Sequence, residues 1–300
     1  IRIAYNKLMN YVVKTERANT EKYIDSMGRG MKAQTVSYKD LLATKNCKKV
    51  SFMGVLRGAN LVYNWAKENS IDFYYIDRPY WGESRGTPYW MRCVKNEHVK
   101  TYVDNRPDDR YKKYYKGDTI KPYHKNGRYV LVVPPSHSMA LHFNAPEWLD
   151  KTIKLLKDNT DREIIVREKP YNPKSYIDSE GRMQPGPSEN KQPEKPFEWD
   201  QVHAVVTFNS SITIKALHNG VPCFSNFENP CGAICESDFT KIENPLYGDR
   251  LPVFYSLAYG QFTQEEFRNG YALRILDETN ERFPTAEERW PRAGEVLDGR

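Results

Sequence analysis

Short apolar runs alternate with helical segments between residues 129 and 225 of this 300-residue chain. The apolar runs are YVLVVPP (129–135), REIIVREKP (162–170), HAVVTF (203–208) and VPCFS (221–225). The segments with helical periodicity are 146–159 and 210–220. Continuous apolar runs of this length predict strands buried on both faces, and the helices between them predict parallel connections. This part of the chain therefore predicts a doubly wound α/β sheet.

A weaker alternation of the same kind precedes it. Strands are predicted at 1–7, 50–55, 72–77 and 89–94, and helices at 16–27 and 60–68. We predict a second parallel sheet flanked by helices. The predicted domains are an N-terminal Rossmann-like domain (1–125), a C-terminal Rossmann-like domain (126–255), and a helical segment with a polar tail (256–300), in which 264–276 reads as one helix.

Two segments interrupt these patterns. Residues 171–199 are rich in Pro, Gly, Ser and charge, which predicts a loop insert and a candidate mobile lid. Residues 102–128 interleave Tyr with Lys, Arg and Asp. This second segment predicts an exposed connector, and its aromatic and basic residues also fit a nucleic-acid surface.

Composition limits the class of protein. Hydrophobic residues make up 39% and charged residues 28%, and there is neither an apolar window that would span a bilayer nor a secretory signal pattern, so we expect a soluble cytoplasmic protein. The net charge of +6 is compatible with an anionic partner without identifying one. The five cysteines are odd in number and irregularly spaced, which favours free thiols in a reducing compartment. Cys223, Cys231 and Cys235 include no C-x-x-C pair, so we expect no metal site.

Three predicted strand ends in the second half carry groups that suit phosphate. Ser136, His137 and Ser138 follow the first strand, Arg167 and Lys169 the second, and Asn209, Ser210 and Ser211 the third. Hydroxyls, cations and a helix start can all donate hydrogen bonds to an anion. Because ligands of open α/β sheets bind beyond the carboxyl ends of the strands, the combination predicts a nucleoside diphosphate site without a P-loop.

Each cluster also has a structural interpretation. The residues around His137 fit an ordinary polar loop, Glu168 fits a surface salt bridge with its basic neighbours, and Ser210 fits an N-cap. His203 and His218 are predicted to serve the structure rather than a site.

Two of these stretches resemble a known family. IIVREKP and NSSITIKALHNGVPCF, within 129–225, resemble the nucleotide-sugar-binding half of GT-B glycosyltransferases, and most of all capsule polysaccharide transferases and phage glycosyltransferase-like proteins. In the first domain, GVLRG (54–58) and YYIDRPYWG (74–82) are similar to the phage members. The resemblance implies two Rossmann-like domains facing across a cleft, with the sugar donor on the second and the acceptor on the first.

The resemblance also implies roles for individual residues. Sugar transfer from a nucleoside diphosphate sugar, with a UDP-sugar as the first expectation, would need no metal and no tightly bound cofactor. Arg167 and Lys169 would stabilise the leaving phosphates. Asp77 is the expected general base, with His137 next, although Asp77 also fits a turn residue that caps local N–H groups. Arg57 and Arg78 would bind a phosphate or an acidic acceptor.

One position departs from the family pattern. The group has Glu directly before Ala-Leu on the helix after the third strand, and this chain has Lys215 there. In GT-B enzymes a Glu in this region binds the donor ribose, so another residue, such as Glu228, would have to do so here. Lys215 is then expected either to contact phosphate or to face solvent.

The sequence leaves the acceptor open. The basic charge, the 102–128 segment and the phage-like motifs predict DNA carrying a hydroxymethylated base, in a bacterial or phage-infected host cell. A surface or capsular polysaccharide is the alternative acceptor, since sugars also stack on aromatic rings. Two further alternatives are a nucleotide-sugar epimerase and a non-catalytic nucleic-acid-binding protein.

Overall fold

The computed structural model describes residues 8–15, 18–44, 46–81, 90–114, 120–187 and 198–278. The strands within these ranges are β1 Met9–Val13, β2 Gln34–Val36, β3 Cys47–Met53, β4 Asp72–Asp77, β5 Trp90–Lys95, β6 Tyr129–Val133, β7 Glu163–Val166, β8 Tyr176–Ile177, β9 Met183–Gln184, β10 Val202–Thr207, β11 Cys223–Ser225 and β12 Gln261–Thr263. The helices are α1 Ala18–Met31, α2 Tyr38–Ala43, α3 Ala59–Glu68, α4 Asp109–Tyr114, α5 His137–His142, α6 Trp148–Lys157, α7 Ile212–His218, α8 Leu251–Ala258, α9 Gln264–Arg268 and α10 Tyr271–Asp277. The predicted strand at 1–7 and the tail from 279 onward lie outside the described residues.

The chain forms two compact units, and each contains segments that are distant in sequence. Unit 1 comprises 1–98, 175–185 and 259–279, and unit 2 comprises the remainder. The structure groups the residues differently from the predicted domains, because residues 99–125 cluster with unit 2 and the segment after 258 returns to unit 1.

Unit 1 contains a six-stranded sheet in the order β12-β5-β4-β3-β1-β2. The pairs β1–β2, β1–β3 and β3–β4 are parallel, whereas β5 and β12 add antiparallel strands at one edge. Its core lies between the sheet and helices α1, α9 and α10, where Val12, Met27, Tyr74, Phe262 and Phe267 are buried.

Unit 2 contains a four-stranded, all-parallel sheet in the order β11-β10-β6-β7. Every residue of β10 is buried, as the continuous apolar run predicts for an inner strand. Trp148 of α6 packs against Phe208 in this core, and its indole N–H donates to Asn226 Oδ1 over 2.9 Å. The predicted mixed α/β class with parallel sheets is therefore confirmed, and the cleft between two domains stays a prediction.

The predicted connector is exposed only in part, since residues 102–104, 110–111 and 127 are buried whereas 112–113, 121–122, 125–126 and 128 are exposed. Tyr102, Asp104, Arg110 and Tyr111 are each at most 8% exposed. Acidic residues within the same stretch neutralise its cations, since Asp104 pairs with Arg106 over 2.7 Å. Internal charge pairing, which a count of basic residues does not reveal, allows parts of this segment to pack instead of facing solvent.

The predicted loop insert and the long C-terminal helix are also corrected. Part of 171–199 forms the β8–β9 hairpin of unit 1, while 188–197 lie outside the described residues. The predicted helix 264–276 is two helices, because Gly270 takes φ +80°, a left-handed conformation that ends α9 and precedes α10.

Candidate functional site at the edge of the unit 2 sheet

The three predicted polar clusters lie at one edge of one sheet. In the parallel register, Thr207 of β10 pairs with Val133 of β6, and Val132 of β6 pairs with Val166 of β7. Neighbouring strands are about 4.8 Å apart, so the ends of these three strands span roughly 10 Å. Thr207 Oγ1 donates to the Val133 carbonyl over 2.7 Å, and the Arg167 N–H donates to the Val132 carbonyl over 2.9 Å.

The loop after β6 presents hydroxyls beside a fixed histidine backbone. Ser136 occupies the N-cap position of α5 without a side-chain capping bond, and its hydroxyl lies 3.2 Å from that of Ser138. The His137 N–H donates to Asn172 Oδ1 over 2.9 Å, which ties this loop to the one after β7. His137 Nδ1 is buried and has no hydrogen-bond partner in the described structure. Asn172 was not among the predicted residues.

The loop after β7 carries the predicted cations. Arg167 is half-buried and Lys169 is exposed. The competing interpretation, a surface salt bridge centred on Glu168, is not observed, since Glu168 makes no ion pair within the described part of the chain. Pairing with Glu168 therefore does not explain why Arg167 and Lys169 flank it.

Of the three polar residues after β10, Ser210 makes a hydrogen bond within the fold, whereas the side-chain donors of Asn209 and Ser211 make none among the described residues. Ser210 Oγ accepts from the Ile212 N–H over 3.3 Å, so part of the predicted helix-start donor set is already used. Asn209 is 8% exposed, and its Nδ2 has no partner among the described residues. Ser211 is exposed at the N-cap position of α7 and makes no side-chain capping bond.

A buried asparagine that the sequence interpretation missed holds this triplet in place. Asn229 is fully buried, and its Oδ1 accepts from Thr213 Oγ1 over 2.9 Å and from the Cys231 N–H over 3.0 Å. Its Nδ2 donates to the Ser210 carbonyl over 3.3 Å. The Asn-Pro pair at 229–230 is a turn signal that marks this position in the sequence.

Lys215, which occupies the position of the family Glu, and Glu228, the candidate to bind the ribose in its place, lie in different surroundings. Lys215 is exposed on α7 and forms no ion pair with any described residue. Glu228 is half-buried in the loop after β11. Gly220 ends the helix that carries Lys215, because it takes φ +77° and a Cβ there would lie 2.0 Å from the Pro122 carbonyl oxygen.

In unit 1, the predicted base Asp77 is held by neighbouring donors. Its carboxylate accepts from Arg92 over 3.0 Å, from the Tyr75 hydroxyl over 3.1 Å and from the Arg78 N–H over 2.8 Å. Burial, and then the charge of Asp77, raise the pKa of Tyr75 well above its usual value, so this hydroxyl remains a donor. A carboxylate paired with a guanidinium is a weak base, and this geometry matches the capping interpretation. The catalytic role of Asp77 stays a prediction.

The two predicted structural histidines are buried and partnered. His203 Nε2 lies 2.8 Å from the Ile242 carbonyl oxygen, and the His218 ring stacks on Phe254 with centroids 4.2 Å apart. Burial, and then the nearby Arg250, lower the pKa of His218 to about 4, so the ring is neutral at pH 7.

The cysteines are buried free thiols. Burial raises the pKa of Cys223, Cys231 and Cys235, which disfavours the thiolate that metals require. Across the described ranges, no group of three or more His, Cys, Asp or Glu residues could hold a metal ion. None of the described helices is long and apolar enough to cross a bilayer.

Comparisons with known proteins identify no family. No family model and no curated protein matches the chain. Among solved structures, it is similar to the beta Kdo 2,7 transferase of Thermosulfurimonas dismutans KpsC, with 12% identity, a TM-score of 0.46, and coverage of 90% of this chain and 99% of that one. It is also similar to the beta Kdo 2,4 transferase of the same protein, with 13% identity, a TM-score of 0.45, and coverage of 83% and 91%.

Proposed function

We propose that this chain is a glycosyltransferase that moves a sugar from a nucleotide sugar to a carbohydrate hydroxyl group. The observation that carries the proposal is the row of donors along one edge of the unit 2 sheet. Cations follow β7, hydroxyls follow β6, and a buried amide and an exposed hydroxyl follow β10. Such a row suits the phosphates of a nucleotide at the place where open α/β sheets bind ligands.

The chemistry requires stabilisation of a departing phosphate. As the bond between the anomeric carbon and the phosphate oxygen breaks, negative charge builds on the leaving nucleotide. Arg167 and Lys169 would stabilise that charge without a metal, and Ser211 would donate a further hydrogen bond. We take a UDP-sugar as the first donor to test and Asp77 or His137 as the base to test.

Partial burial of the 102–128 segment favours a glycan acceptor over DNA. The nucleic-acid interpretation needs exposed aromatic and basic side chains, but Tyr102, Arg110 and Tyr111 are buried. Lys112, which is exposed, is paired with Asp108 over 2.6 Å. Part of the sequence feature that pointed most directly to DNA therefore belongs to the packing of unit 2, whereas Lys121, Lys125 and Arg128 are exposed.

Calorimetric titration of UDP and other nucleotides tests the donor site. Replacing Arg167 by Ala is expected to weaken binding roughly tenfold or more, because a charge-assisted hydrogen bond to phosphate contributes about 1.5–3 kcal/mol. Lys169→Ala should have a smaller effect of the same sign. Lys154→Ala removes an exposed lysine on α6 and is the control that should leave affinity unchanged. Equal affinities for all four proteins would overturn the donor site.

A donor and acceptor screen tests the reaction. The protein is incubated with several nucleotide sugars, with oligosaccharides or with hydroxymethylated DNA, and products are identified by mass spectrometry. Transfer to an oligosaccharide supports the proposal, and transfer to DNA replaces its acceptor. Conversion of the donor sugar without any acceptor would identify an epimerase instead.

A further inference from the structure

The unit 1 sheet reverses its direction of strand addition at β1. In the order β4-β3-β1-β2, the chain runs from β1 outward to β2 and then returns to the other side of β1 as β3. This reversal is a topological switch point, and ligands of such sheets bind outside the carboxyl ends of the strands that flank it. The loop 54–58 follows β3 at this place.

Loop 54–58 is held rigidly by the β8–β9 hairpin. The Arg57 N–H donates to the Met183 carbonyl over 2.7 Å, and Asn60 exchanges two hydrogen bonds with the hairpin, at Gly181 and Met183. Arg57 has φ +57° and Gly58 φ +89°. A Cβ on Gly58 would lie 2.8 Å from the Tyr38 ring, so this turn requires glycine.

The Arg57 side chain is the unexplained group in this loop. It is half-buried, yet its guanidinium makes no hydrogen bond or ion pair within the described structure. Two other arginines of unit 1 are paired, Arg92 with Asp77 over 3.0 Å and Arg182 with Asp178 over 2.7 Å. A guanidinium carries five donors, and partial burial without an acceptor is unfavourable.

The surroundings of Arg57 favour an anion. A Cβ built on Gly54 would meet no atom within 4 Å, which indicates open space at the end of β3. Helix α3 begins directly after the loop. Its Ala59 N–H donates to the Leu56 carbonyl over 3.2 Å and its Leu61 N–H to the Gly58 carbonyl over 3.1 Å, so the helix start adds only the partial positive charge of its dipole near the arginine.

We propose that Arg57 binds an oxyanion, a carboxylate or a phosphate, carried by the sugar acceptor. That the anion belongs to the sugar acceptor rests on the proposed function, whereas the anion site itself rests on the geometry of unit 1 alone. A guanidinium pairs with either oxyanion through two parallel hydrogen bonds. The acceptor is therefore an acidic or phosphorylated glycan rather than a neutral one.

Anion binding is measured by calorimetry on the full chain with glucuronate, inorganic phosphate and neutral glucose. Arg57→Gln is expected to weaken binding of the preferred anion at least tenfold. The matched control is Lys48→Gln, which removes one exposed cation at the opposite end of the same strand and should leave affinity within about twofold. Tighter binding of glucuronate would identify a carboxylate-bearing sugar, and tighter binding of phosphate a phosphorylated one.

Two further measurements separate this inference from the proposed function. Repeating the titrations in an Arg167→Gln background removes the main cation of the donor site, and the effect of Arg57→Gln should persist there. Arg57→Asn, which suits a positive φ, provides a second variant with the same expected loss. Equal anion affinities for wild type and both Arg57 variants would overturn the inference, even if sugar transfer were observed. Arg57-dependent anion binding without any transfer would instead retain the site and remove the proposed function.

Discussion

The carboxyl ends of the parallel strands carry different kinds of polar residue in the two units. In unit 1, Asp77 and Arg92 neutralise each other, and the Tyr75 hydroxyl completes the cluster. In unit 2, the corresponding edge carries cations, hydroxyls and an amide, and the one carboxylate between the cations, Glu168, makes no ion pair within the described residues. A closed pair of opposite charges stabilises a fold, whereas a row of donors favours binding of an anion. Under the proposed function the nucleotide would bind at the unit 2 edge, and Arg57 is the exception in unit 1.

Breaking the ion pair in unit 1 should give the largest loss of stability. Arg92→Met keeps the volume of the side chain but leaves Asp77, whose side chain is 27% exposed, without its guanidinium. We expect the free energy of unfolding to fall by about 3 kcal/mol, because removing one partner leaves a poorly solvated charge behind. Urea denaturation followed by circular dichroism measures the loss.

The double variant Arg92→Met with Asp77→Asn sharpens this result. It should recover part of the stability, since the side chain at position 77 is then neutral and loses no attraction to a guanidinium. Lys48→Met, at an exposed position on β3, is the control and should change stability by less than about 0.5 kcal/mol. If Arg92→Met were as stable as wild type, the Asp77–Arg92 pair would not stabilise the fold. The role of Asp77 as a general base would then be the better explanation of its position.

The next largest effect is expected from acidification, which should destabilise unit 2. Three histidines of unit 2, His142, His203 and His218, have a lowered pKa because of burial. The pKa of His218 is about 4 in the folded chain, against 6.5 as the ordinary value. Its neutral form therefore stabilises the fold fully above pH 6.5, and this contribution is lost as pH falls towards 4.

The size of this effect can be isolated with one variant. Between pH 7 and pH 4.5, His218 alone should remove roughly 2 kcal/mol of stability. His218→Phe keeps a ring stacked on Phe254 and cannot titrate, so its stability should fall by that much less over the same range. Urea denaturation of both proteins at the two pH values gives the comparison. An identical pH dependence would show that His218 is not the buried neutral group that holds the end of α7.

The sequence predicts unit 2 better than unit 1 for a physical reason. Inner parallel strands are apolar on both faces, so β6 and β10 are visible as continuous runs, with ends misplaced by only a few residues. The β8–β9 hairpin has a polar composition, and it docks through Asn60, which is distant in sequence from Met183. No local pattern encodes such a contact, and for the same reason the division into units was not predicted.

The candidate site shows the same limit. Arg167, Lys169 and the triplet 209–211 could be found because strand ends are visible in the sequence. Asn172 and Asn229 could not, since each acts through an amide that bonds to a loop elsewhere in the chain. The sequence therefore identifies groups that would touch a ligand more readily than groups that hold those side chains in place.

The smallest predicted effects concern two adjacent serines at the unit 2 edge. Variants of Ser210 and Ser211 should distinguish a contribution to stability from a contribution to nucleotide binding. Ser210 Oγ accepts from the Ile212 N–H, so Ser210→Ala should lower the free energy of unfolding by about 0.5–1 kcal/mol. Ser211 Oγ is exposed without a partner in the described structure, so Ser211→Ala should leave stability unchanged and weaken nucleotide binding by a few-fold. Urea denaturation and nucleotide titration on both variants measure the two effects. If Ser211→Ala binds nucleotide as wild type does while Ser210→Ala loses both stability and affinity, residues 209–211 serve only to cap the start of α7. The donors available to a nucleotide at this edge would then be only those that follow β6 and β7.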